Sequence, residues 1–264
     1  MTRVALGIEY FGTEYSGWQK QKTTKNTIQE ILENALSQIA DHEIKTICSG
    51  RTDAGVHALS QIIHFDSSSK RFQKAWIKGT NSILPNNISV IWAKKVPNKF
   101  HARFSAINRT YKYLVVNKTQ DSILRSKKSI LIKEKLNLEI MREASQYLLG
   151  EQDFSSFRAS GCQSKTAMRD IKQIIILKNK NTFTIEISAN AFLLNMVRII
   201  VGTLIDFGIN NSDPTIMKNI LDSRDRKLAG KTVNPDGLYF IGPEYPDEFK
   251  IKKPPFSQQI IPFG

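Results

Sequence analysis

Cysteine is scarce in this chain, and its longest apolar stretch is broken by polar and charged residues. The 264 residues include two cysteines, Cys48 and Cys162, which lie far apart, and four histidines without metal-ligand spacing around them. These counts exclude a disulfide framework, argue against a structural zinc site and suit a reducing cytosol. An asparagine, an arginine and an aspartate interrupt the apolar stretch 191–209, which indicates a buried helix rather than a membrane span.

Acidic residues are few relative to basic ones. The chain has 38 Lys plus Arg against 24 Asp plus Glu, a formal net charge of +14. A protein this basic is expected to attract a polyanion, and we favour nucleic-acid binding over the alternative of a merely solvated surface. No cofactor motif is present, so we expect neither a cofactor nor a metal. Residues 1–10 lead directly into a strand pattern, so we expect no secretory signal and a cytoplasmic location.

The first hundred residues follow the order strand, helix, strand, strand, helix, strand. Alternating apolar residues predict a half-buried first strand, and Thr27 with Glu30 forms a capping box at the start of the first helix. This order is that of a ferredoxin-like domain. The predicted elements are a strand at 3–10, a helix at 27–39, strands at 44–48 and 60–65, a helix at 72–83 and a strand at 88–93.

The second half is a looser version of the same plan. We predict an α+β fold in which two ferredoxin-like halves form a continuous mixed, mainly antiparallel sheet, with helices on one side and a basic active-site cleft between the halves. The domains expected are 1–104 and 105–243, followed by an extended proline-containing tail at 244–264. The predicted elements are strands at 111–116, 171–178, 182–188 and 237–241, and helices at 138–149 (Asn137 as cap, Gly150 as stop), at 191–208 and after Asp213-Pro214.

Residues 50–58, Gly-Arg-Thr-Asp-Ala-Gly-Val-His-Ala, form the most informative segment of the chain. Apolar runs on both sides predict a strand, a functional loop and a second strand, and the glycines allow the backbone to approach a ligand closely. Arg51 and Asp53 are two residues apart, so they can point the same way and the cation can keep the carboxylate ionised. An ionised, partly desolvated aspartate suits nucleophilic or general-base chemistry. The alternative is an ordinary tight turn.

Segment 50–58 resembles the active-site loop of the TruA-type tRNA pseudouridine synthase family. Two positions depart from the family pattern, since Phe11 stands where an aspartate is more usual and Val233-Asn234 stands where prolines are common. The resemblance is specific, because further blocks follow in the family's order, at 10–19, 100–106, 109–113, 153–158, 162–164, 192–198 and 237–240.

The resemblance implies roles for individual residues. Asp53 is the catalytic residue, and it either attacks the ribose, attacks the base or abstracts a ribose proton. Arg51 enters the helix stack as the target base leaves it, and Arg198 lies near the catalytic aspartate. A charged side chain in an apolar helix also needs a nearby anion on physical grounds, although an ion pair with Asp206 or Glu186 would meet that need equally well.

The resemblance also implies the substrate-binding residues. Tyr111 lies beneath the target base, Leu238 forms an apolar wall of the same pocket, and Arg103 and Arg109 hold phosphates. The alternatives are a strand aromatic packed in the sheet for Tyr111 and solvated surface for the two arginines.

The reaction implied is the isomerisation of uridine to pseudouridine at positions 38, 39 and 40 of the tRNA anticodon stem-loop, carried out by a homodimer without a cofactor. Two other functions stay open. One is a non-catalytic RNA-binding protein of the same fold, against which the joint presence of Asp53, Arg51, Tyr111 and Arg198 argues. The other is a carboxylate-dependent nucleosidase, which would need a second acid that does not stand out in the sequence.

Overall fold

The computed structural model describes residues 1–118 and 126–251, and the chain divides into two compact units. The first unit takes in Met1–Arg109 and the returning segment 239–251, and the second is Thr110–Leu238. Strands in mixed, mainly antiparallel pairing and a small number of helices give the α+β class that the sequence predicted. The cleft between the predicted halves stays a prediction, and most of the predicted tail lies outside the described residues.

The elements are named here in chain order. The strands are β1 (Thr2–Tyr10), β2 (Ile47–Cys48), β3 (His57–Ser67), β4 (Ile88–Lys95), β5 (Asn108–Asn117), β6 (Ile130–Ile132), β7 (Gly150–Asp153), β8 (Met168–Asn179), β9 (Thr182–Ala189) and β10 (Leu238–Glu244). The α-helices are α1 (Ile28–Ala40), α2 (Leu138–Gln146), α3 (Met196–Asn210) and α4 (Ile216–Ser223). A π-helical turn, Ala75–Gly79, lies in the helix predicted at 72–83.

The first unit has the predicted ferredoxin-like arrangement. Its strands lie in the order β4-β1-β3, with β2 also paired to β3, and β1 is antiparallel to both of its neighbours. On the other side of β3, the returning strand β10 pairs in parallel, Tyr239 opposite His57. One hydrophobic cluster of this unit joins its two chain segments, because Phe100 packs with Tyr245 and Phe249. The returning segment is therefore part of the first unit's core.

The first strand is buried more completely than its alternating pattern predicted. Ala5 on the supposedly exposed face is fully buried, and a Cβ added to Gly7 would overlap the indole ring of Trp92. The prediction of a half-buried strand was wrong because the small residues Ala5 and Gly7 leave room for larger side chains, such as that of Trp92, on the face expected to be exposed. The strand expected at 44–48 is also shorter, since only Ile47 and Cys48 pair with β3.

Helix α1 begins as the capping pattern predicted. The Thr27 hydroxyl accepts a hydrogen bond from the Glu30 backbone N–H at 3.4 Å. The second hydrogen bond of a capping box would run from the Thr27 N–H to the Glu30 carboxylate. Here the Thr27 N–H donates to the Lys25 carbonyl instead, and the Glu30 carboxylate pairs with Lys20 at 3.2 Å. Burial of one apolar face then fixes the helix, with Ile28, Leu32 and Leu36 each at most 1% exposed.

The second unit follows the looser plan. Strands β5, β9, β8 and β7 lie side by side in that order, and β6 pairs in parallel with β5. The β8–β9 hairpin and the capped helix α2 confirm predictions, although α2 ends at Gln146 rather than near 149. Strands β6 and β7 were not predicted. No helix in residues 1–118 or 126–251 is both long and apolar enough to cross a membrane.

Candidate active site

The loop between β2 and β3 holds Asp53 in a tight turn. The Val56 N–H donates to the Asp53 carbonyl at 3.2 Å, and Gly55 takes the φ of +80° that this turn needs. Thr52 is buried, whereas Arg51 is exposed and Asp53 half-buried. The loop is thus built around a tight turn, and its functional role stays a prediction. The buried Thr52 separates the exposed Arg51 from the half-buried Asp53.

Thr52 anchors this loop. Its hydroxyl and the hydroxyl of Tyr10 lie 2.7 Å apart, and its carbonyl accepts a hydrogen bond from the Trp18 N–H at 3.0 Å. All three residues are buried, and burial raises the pKa of Tyr10, so its phenol stays protonated and hydrogen-bonded across the neutral range. The residue between Arg51 and Asp53 is thus held at both its side chain and its backbone.

Two glycines of the N-terminal block 10–19 let the backbone pack directly on this loop. A Cβ on Gly12 would overlap the Val56 carbonyl, and the Gly12 N–H donates to Nδ1 of His57 at 3.0 Å. Gly17 has φ +90°, and a Cβ there would lie 2.9 Å from the Thr52 carbonyl oxygen. The sequence identified block 10–19 only through the family resemblance, and the structure shows that this block packs directly against the loop.

The entry to the loop is fixed by a second set of hydrogen bonds. The Ser49 hydroxyl donates to Oε1 of Gln61 at 2.6 Å, and Nε2 of Gln61 donates to the Gly50 carbonyl at 2.5 Å. The Arg109 guanidinium donates to the Ser49 carbonyl from Nε at 3.3 Å and from a terminal nitrogen at 3.2 Å. The residues just before Arg51 are therefore tied to β3 and to Arg109.

Arg109 differs from the expected phosphate-binding residue. Its side chain is buried, and it also donates to the carbonyls of Ala106, at 3.1 Å, and of Arg103. A guanidinium that bonds three backbone carbonyls in the interior is positioned to organise the loop entry rather than to meet an RNA phosphate. Arg103 is exposed, as a phosphate ligand must be.

Cys48 lies beside the loop but is unsuited to nucleophilic chemistry. Burial raises the pKa of its thiol to about 12, although the positive charge of Arg51 opposes the shift. The thiol is thus protonated at neutral pH, and thiolate chemistry needs the deprotonated form. Within residues 1–118 and 126–251, no three His, Cys, Asp or Glu side chains gather as a metal site would require.

In the second unit, Arg198 lies in the first turn of α3. Its Nε donates to the Val233 carbonyl at 2.7 Å, and a terminal nitrogen donates to Oδ1 of Asn195 at 2.9 Å. Of the carboxylates considered as alternative partners, Glu186 pairs with Lys112 at 3.2 Å, and Asp206 experiences the charge of Lys231. Asn195 itself takes a left-handed φ of 58° at the start of the helix.

Tyr111 and Leu238 are both buried. The ring of Tyr111 meets that of Phe192 edge-on, with centroids 5.1 Å apart, and Phe192 opens the block 192–198 that contains Arg198. Leu238 follows a short 3₁₀ turn in which Oδ1 of Asn234 accepts the Asp236 N–H at 3.2 Å. The two predicted substrate-binding residues are thus both buried within the second unit.

The segment before Leu238 has one proline, Pro235, and is also held by hydrogen bonds. The Asn234 carbonyl accepts the Tyr113 hydroxyl, and the Val233 carbonyl accepts Nε of Arg198. A Cβ on Gly237 would lie 2.6 Å from the Leu114 carbonyl oxygen, so the turn is packed closely on β5. Hydrogen bonds and close packing therefore restrict the conformation of this segment in addition to its single proline.

Comparison with known proteins now identifies the family. A family described as tRNA pseudouridine synthase matches residues 7–105 and 144–246. Proteins called tRNA pseudouridine synthase A from Vibrio parahaemolyticus and Coxiella burnetii are 46% identical over 261 residues and 45% identical over 263 residues. These alignments cover 98% of this chain and 98% of the Vibrio protein, and 99% of this chain and 100% of the Coxiella protein. The protein of that name from Alcanivorax borkumensis is 41% identical over 99% of this chain and 98% of its own length.

The chain belongs to the tRNA pseudouridine synthase family. It is accordingly an isomerase that converts uridine in tRNA into pseudouridine. The family match takes in both the loop at 50–58, in the first unit, and the segment 192–198, in the second.

A tRNA pseudouridine synthase changes the bond that joins the uracil to the ribose. The glycosidic N–C bond breaks, the uracil rotates and a C–C bond forms, so the enzyme needs a positioned reactive group and a surface that holds the base during rotation. Asp53 lies half-buried on the hydrogen-bonded turn of its loop in the first unit, and Tyr111 is buried in the second unit; their parts in this reaction stay predictions. The sequence predicted Asp53 and Tyr111 as site residues but gave no sign of the support that Tyr10, Thr52 and Gln61 give the loop, since buried polar support has no periodic pattern that reveals it.

Proposed function

We propose that this protein forms pseudouridine at positions 38, 39 and 40 of the tRNA anticodon stem-loop, with Asp53 as the catalytic residue. The observation that carries the proposal is the loop 50–58, in which Thr52 and Gly55 fix the turn around Asp53 on both sides. The choice of positions rests on the resemblance to TruA-type enzymes and on the relatives called tRNA pseudouridine synthase A.

Asp53 makes or breaks a bond to the substrate by one of three routes: attack on the ribose, attack on the base, or abstraction of a ribose proton. Each route needs the ionised carboxylate, and each returns it unchanged because the overall reaction is an isomerisation. A rigid turn lowers the cost of aligning the carboxylate with the substrate, which is the main contribution expected from this loop.

The other residues hold the substrate. Arg51 is exposed beside Asp53 and fills the space in the helix stack that the target base leaves. Tyr111 supports the flipped base, Leu238 closes the pocket, and Arg103 binds a phosphate. Arg198 supports the Asp53 carboxylate, and its own side chain is oriented by Asn195 and Val233. The enzyme acts as a homodimer in the cytoplasm.

The deciding experiment replaces Asp53 and analyses the product. Asp53→Asn should abolish pseudouridine formation in uridine-labelled tRNA while keeping tRNA affinity within a few-fold, since the substitution preserves shape and removes the charge that the chemistry needs. Asp41→Asn is the matched control, because Asp41 is a surface residue in the same unit that pairs with another surface side chain, Arg71.

Each outcome has a clear meaning. Pseudouridine at positions 38–40 with the native protein and none with Asp53→Asn supports the proposal. Free uracil would instead indicate a nucleosidase, and unchanged tRNA would indicate a binding protein. A few per cent of residual turnover in Asp53→Asn would remove Asp53 from the catalytic role. Pseudouridine elsewhere in the tRNA would contradict the choice of positions.

A further inference from the structure

An aromatic ring projects into solvent from the turn that follows β4. Phe104 is 76% exposed, although large apolar side chains usually become buried. The His101 ring stacks against it, with centroids 4.4 Å apart and planes inclined by 26°, and the Arg103 guanidinium carbon lies 5.6 Å from the Phe104 centroid. Phe104 therefore belongs to an ordered stack with a cation beside it.

The backbone of this turn is held by its own side chains. Nδ1 of His101 accepts the N–H groups of Arg103, at 3.2 Å, and of Phe104, at 3.1 Å. The Ser105 hydroxyl accepts the His101 N–H at 2.9 Å, and the Ser105 N–H donates to the His101 carbonyl at 2.9 Å. Acceptance at Nδ1 requires a neutral imidazole, and burial with the nearby charges of Arg3 and Arg103 lowers the pKa of His101 accordingly.

The turn is also anchored to the rest of the first unit. The Ala102 N–H donates to Nδ1 of His64 at 3.0 Å, and the Ala102 carbonyl accepts the Tyr245 hydroxyl at 2.6 Å. Arg109 binds the Arg103 carbonyl as well as that of Ser49. The Phe104 side chain is exposed while its backbone is fixed, so ordering it for a ligand costs little entropy.

We propose that Phe104 stacks on an unpaired base of the RNA substrate while Arg103 contacts a neighbouring phosphate. An aromatic face with an adjacent guanidinium fits a nucleotide, which offers a π-face and an anion side by side. The base must be unpaired, because the faces of bases within a duplex are already covered by their neighbours. The inference rests on the proposed function, because the RNA expected to stack on Phe104 is the tRNA substrate.

A second copy of this chain fits the feature less well. Stable protein interfaces bury about 800 Å² per partner around an apolar centre, and they are depleted in charged residues there. Here a single protruding ring has a cation against it, which fits the face and the phosphate of a nucleotide better than the apolar centre of a protein interface.

The test compares two RNAs of equal length, an anticodon stem-loop hairpin and a fully paired duplex, by fluorescence anisotropy. Phe104→Ala should weaken hairpin binding about 10-fold, a change of about 1.4 kcal/mol, and duplex binding less than about 2-fold. Phe104→Trp should retain the native hairpin affinity, whereas Phe104→Leu should lose it, because leucine keeps apolar area without a stacking face.

Phe72→Ala is the matched control. Phe72 is 88% exposed in the same unit, but no aromatic ring among the described residues stacks on it. Its removal should leave hairpin affinity within about 2-fold. An equal loss for hairpin and duplex, unchanged hairpin binding in Phe104→Ala, or an equal loss in Phe72→Ala would each overturn the proposal. A changed oligomeric state of Phe104→Ala in sedimentation would also overturn it, by assigning the ring to a contact between copies.

This result is separable from the proposed function. If native protein forms pseudouridine at the expected positions but Phe104→Ala binds the hairpin normally, the stacking inference alone fails. If Phe104 discriminates hairpin from duplex but no pseudouridine forms at those positions, the proposed function fails and the stacking surface stands.

Discussion

At the scale of single residues, the position of Asp53 depends on two glycines, because a side chain at either position would displace the loop. Gly12 and Gly17 allow the backbone of one segment to lie against the backbone of the loop, where any Cβ would push the two apart. A displacement of about 1 Å at a catalytic group can lower a rate by about 100-fold. We therefore expect the chemistry proposed for Asp53 to be sensitive to substitution of these two glycines.

Gly17→Ala and Gly150→Ala separate backbone strain from displacement of the loop. Both glycines have strongly positive φ, +90° and +86°, but a Cβ meets nothing within 4 Å at Gly150 and lies 2.9 Å from the Thr52 carbonyl at Gly17. Each substitution should lower the free energy of unfolding by about 1–2 kcal/mol. Only Gly17→Ala should also lower kcat, by 10-fold or more. Urea denaturation and single-turnover assays test this, and equal kcat values in both variants would contradict it.

His64 should make stability depend on pH. It is buried, accepts the Ala102 N–H and lies near Arg3, and burial together with that charge lowers its pKa to about 4. The unfolded chain therefore binds the proton more tightly, so stability is complete above about pH 6.5 and decreases as pH falls towards 4. The expected loss is about 2 kcal/mol between pH 7 and pH 5.

Chemical denaturation at several pH values measures this loss, and His64→Gln is the comparison. Glutamine can still accept the Ala102 N–H but does not titrate, so its stability should change less over the same window. We assign the pH-dependent loss of stability that remains in His64→Gln to His101, because burial lowers the pKa of His101 as well. A native protein that is equally stable at pH 7 and pH 5 would refute the assignment.

At the scale of elements, helix α1 tests whether capping was interpreted correctly. Thr27→Ala should lower the free energy of unfolding by about 1 kcal/mol, because the Glu30 N–H loses its acceptor. Thr27→Ser keeps the hydroxyl and should lose markedly less. Urea denaturation of both variants gives the comparison, and equal losses would mean that the buried Thr27 methyl rather than its hydroxyl carries the stability.

Predictability from sequence varied with the kind of element. Helix α1 and the β8–β9 hairpin were predictable because periodicity, a capping residue and a short polar turn all agreed. Strand β7, Gly150–Asp153, has no apolar pattern because it is an edge strand that pairs with β8 alone. β2 shortened to two residues because its first predicted residues bond elsewhere, with the Thr46 N–H and hydroxyl both donating to Glu33.

The candidate site likewise has features that the sequence predicted and features that it could not predict. Asp53, Arg51 and the surrounding loop were accessible from a nine-residue motif. The burial of Arg109 was not, because an arginine that binds phosphate and one that binds carbonyls are the same residue in sequence. Only the three-dimensional positions of Ser49, Arg103 and Ala106 distinguish the two roles.

At the scale of the whole molecule, charge should govern affinity for tRNA. A chain with a net charge of +14 releases counterions when several of its cations bind phosphates. Affinity should fall by about 100-fold or more between 50 and 200 mM monovalent salt. Arg103→Ala should reduce the slope of log affinity against log salt by about one, whatever the tRNA sequence. A flat dependence in the native protein would show that the charge is unrelated to the substrate.

The return of the chain to its first unit has a consequence for biosynthesis. Phe100, Ala5 and Ile62 find part of their packing on Tyr245 and Phe249, and β10 pairs with the strand that follows the catalytic loop. A ribosome that has released only the first hundred residues has therefore not yet supplied the partners that this core requires. The nascent N-terminal half should expose apolar surface until nearly the whole chain has emerged, which makes it a natural client for chaperones that act during translation.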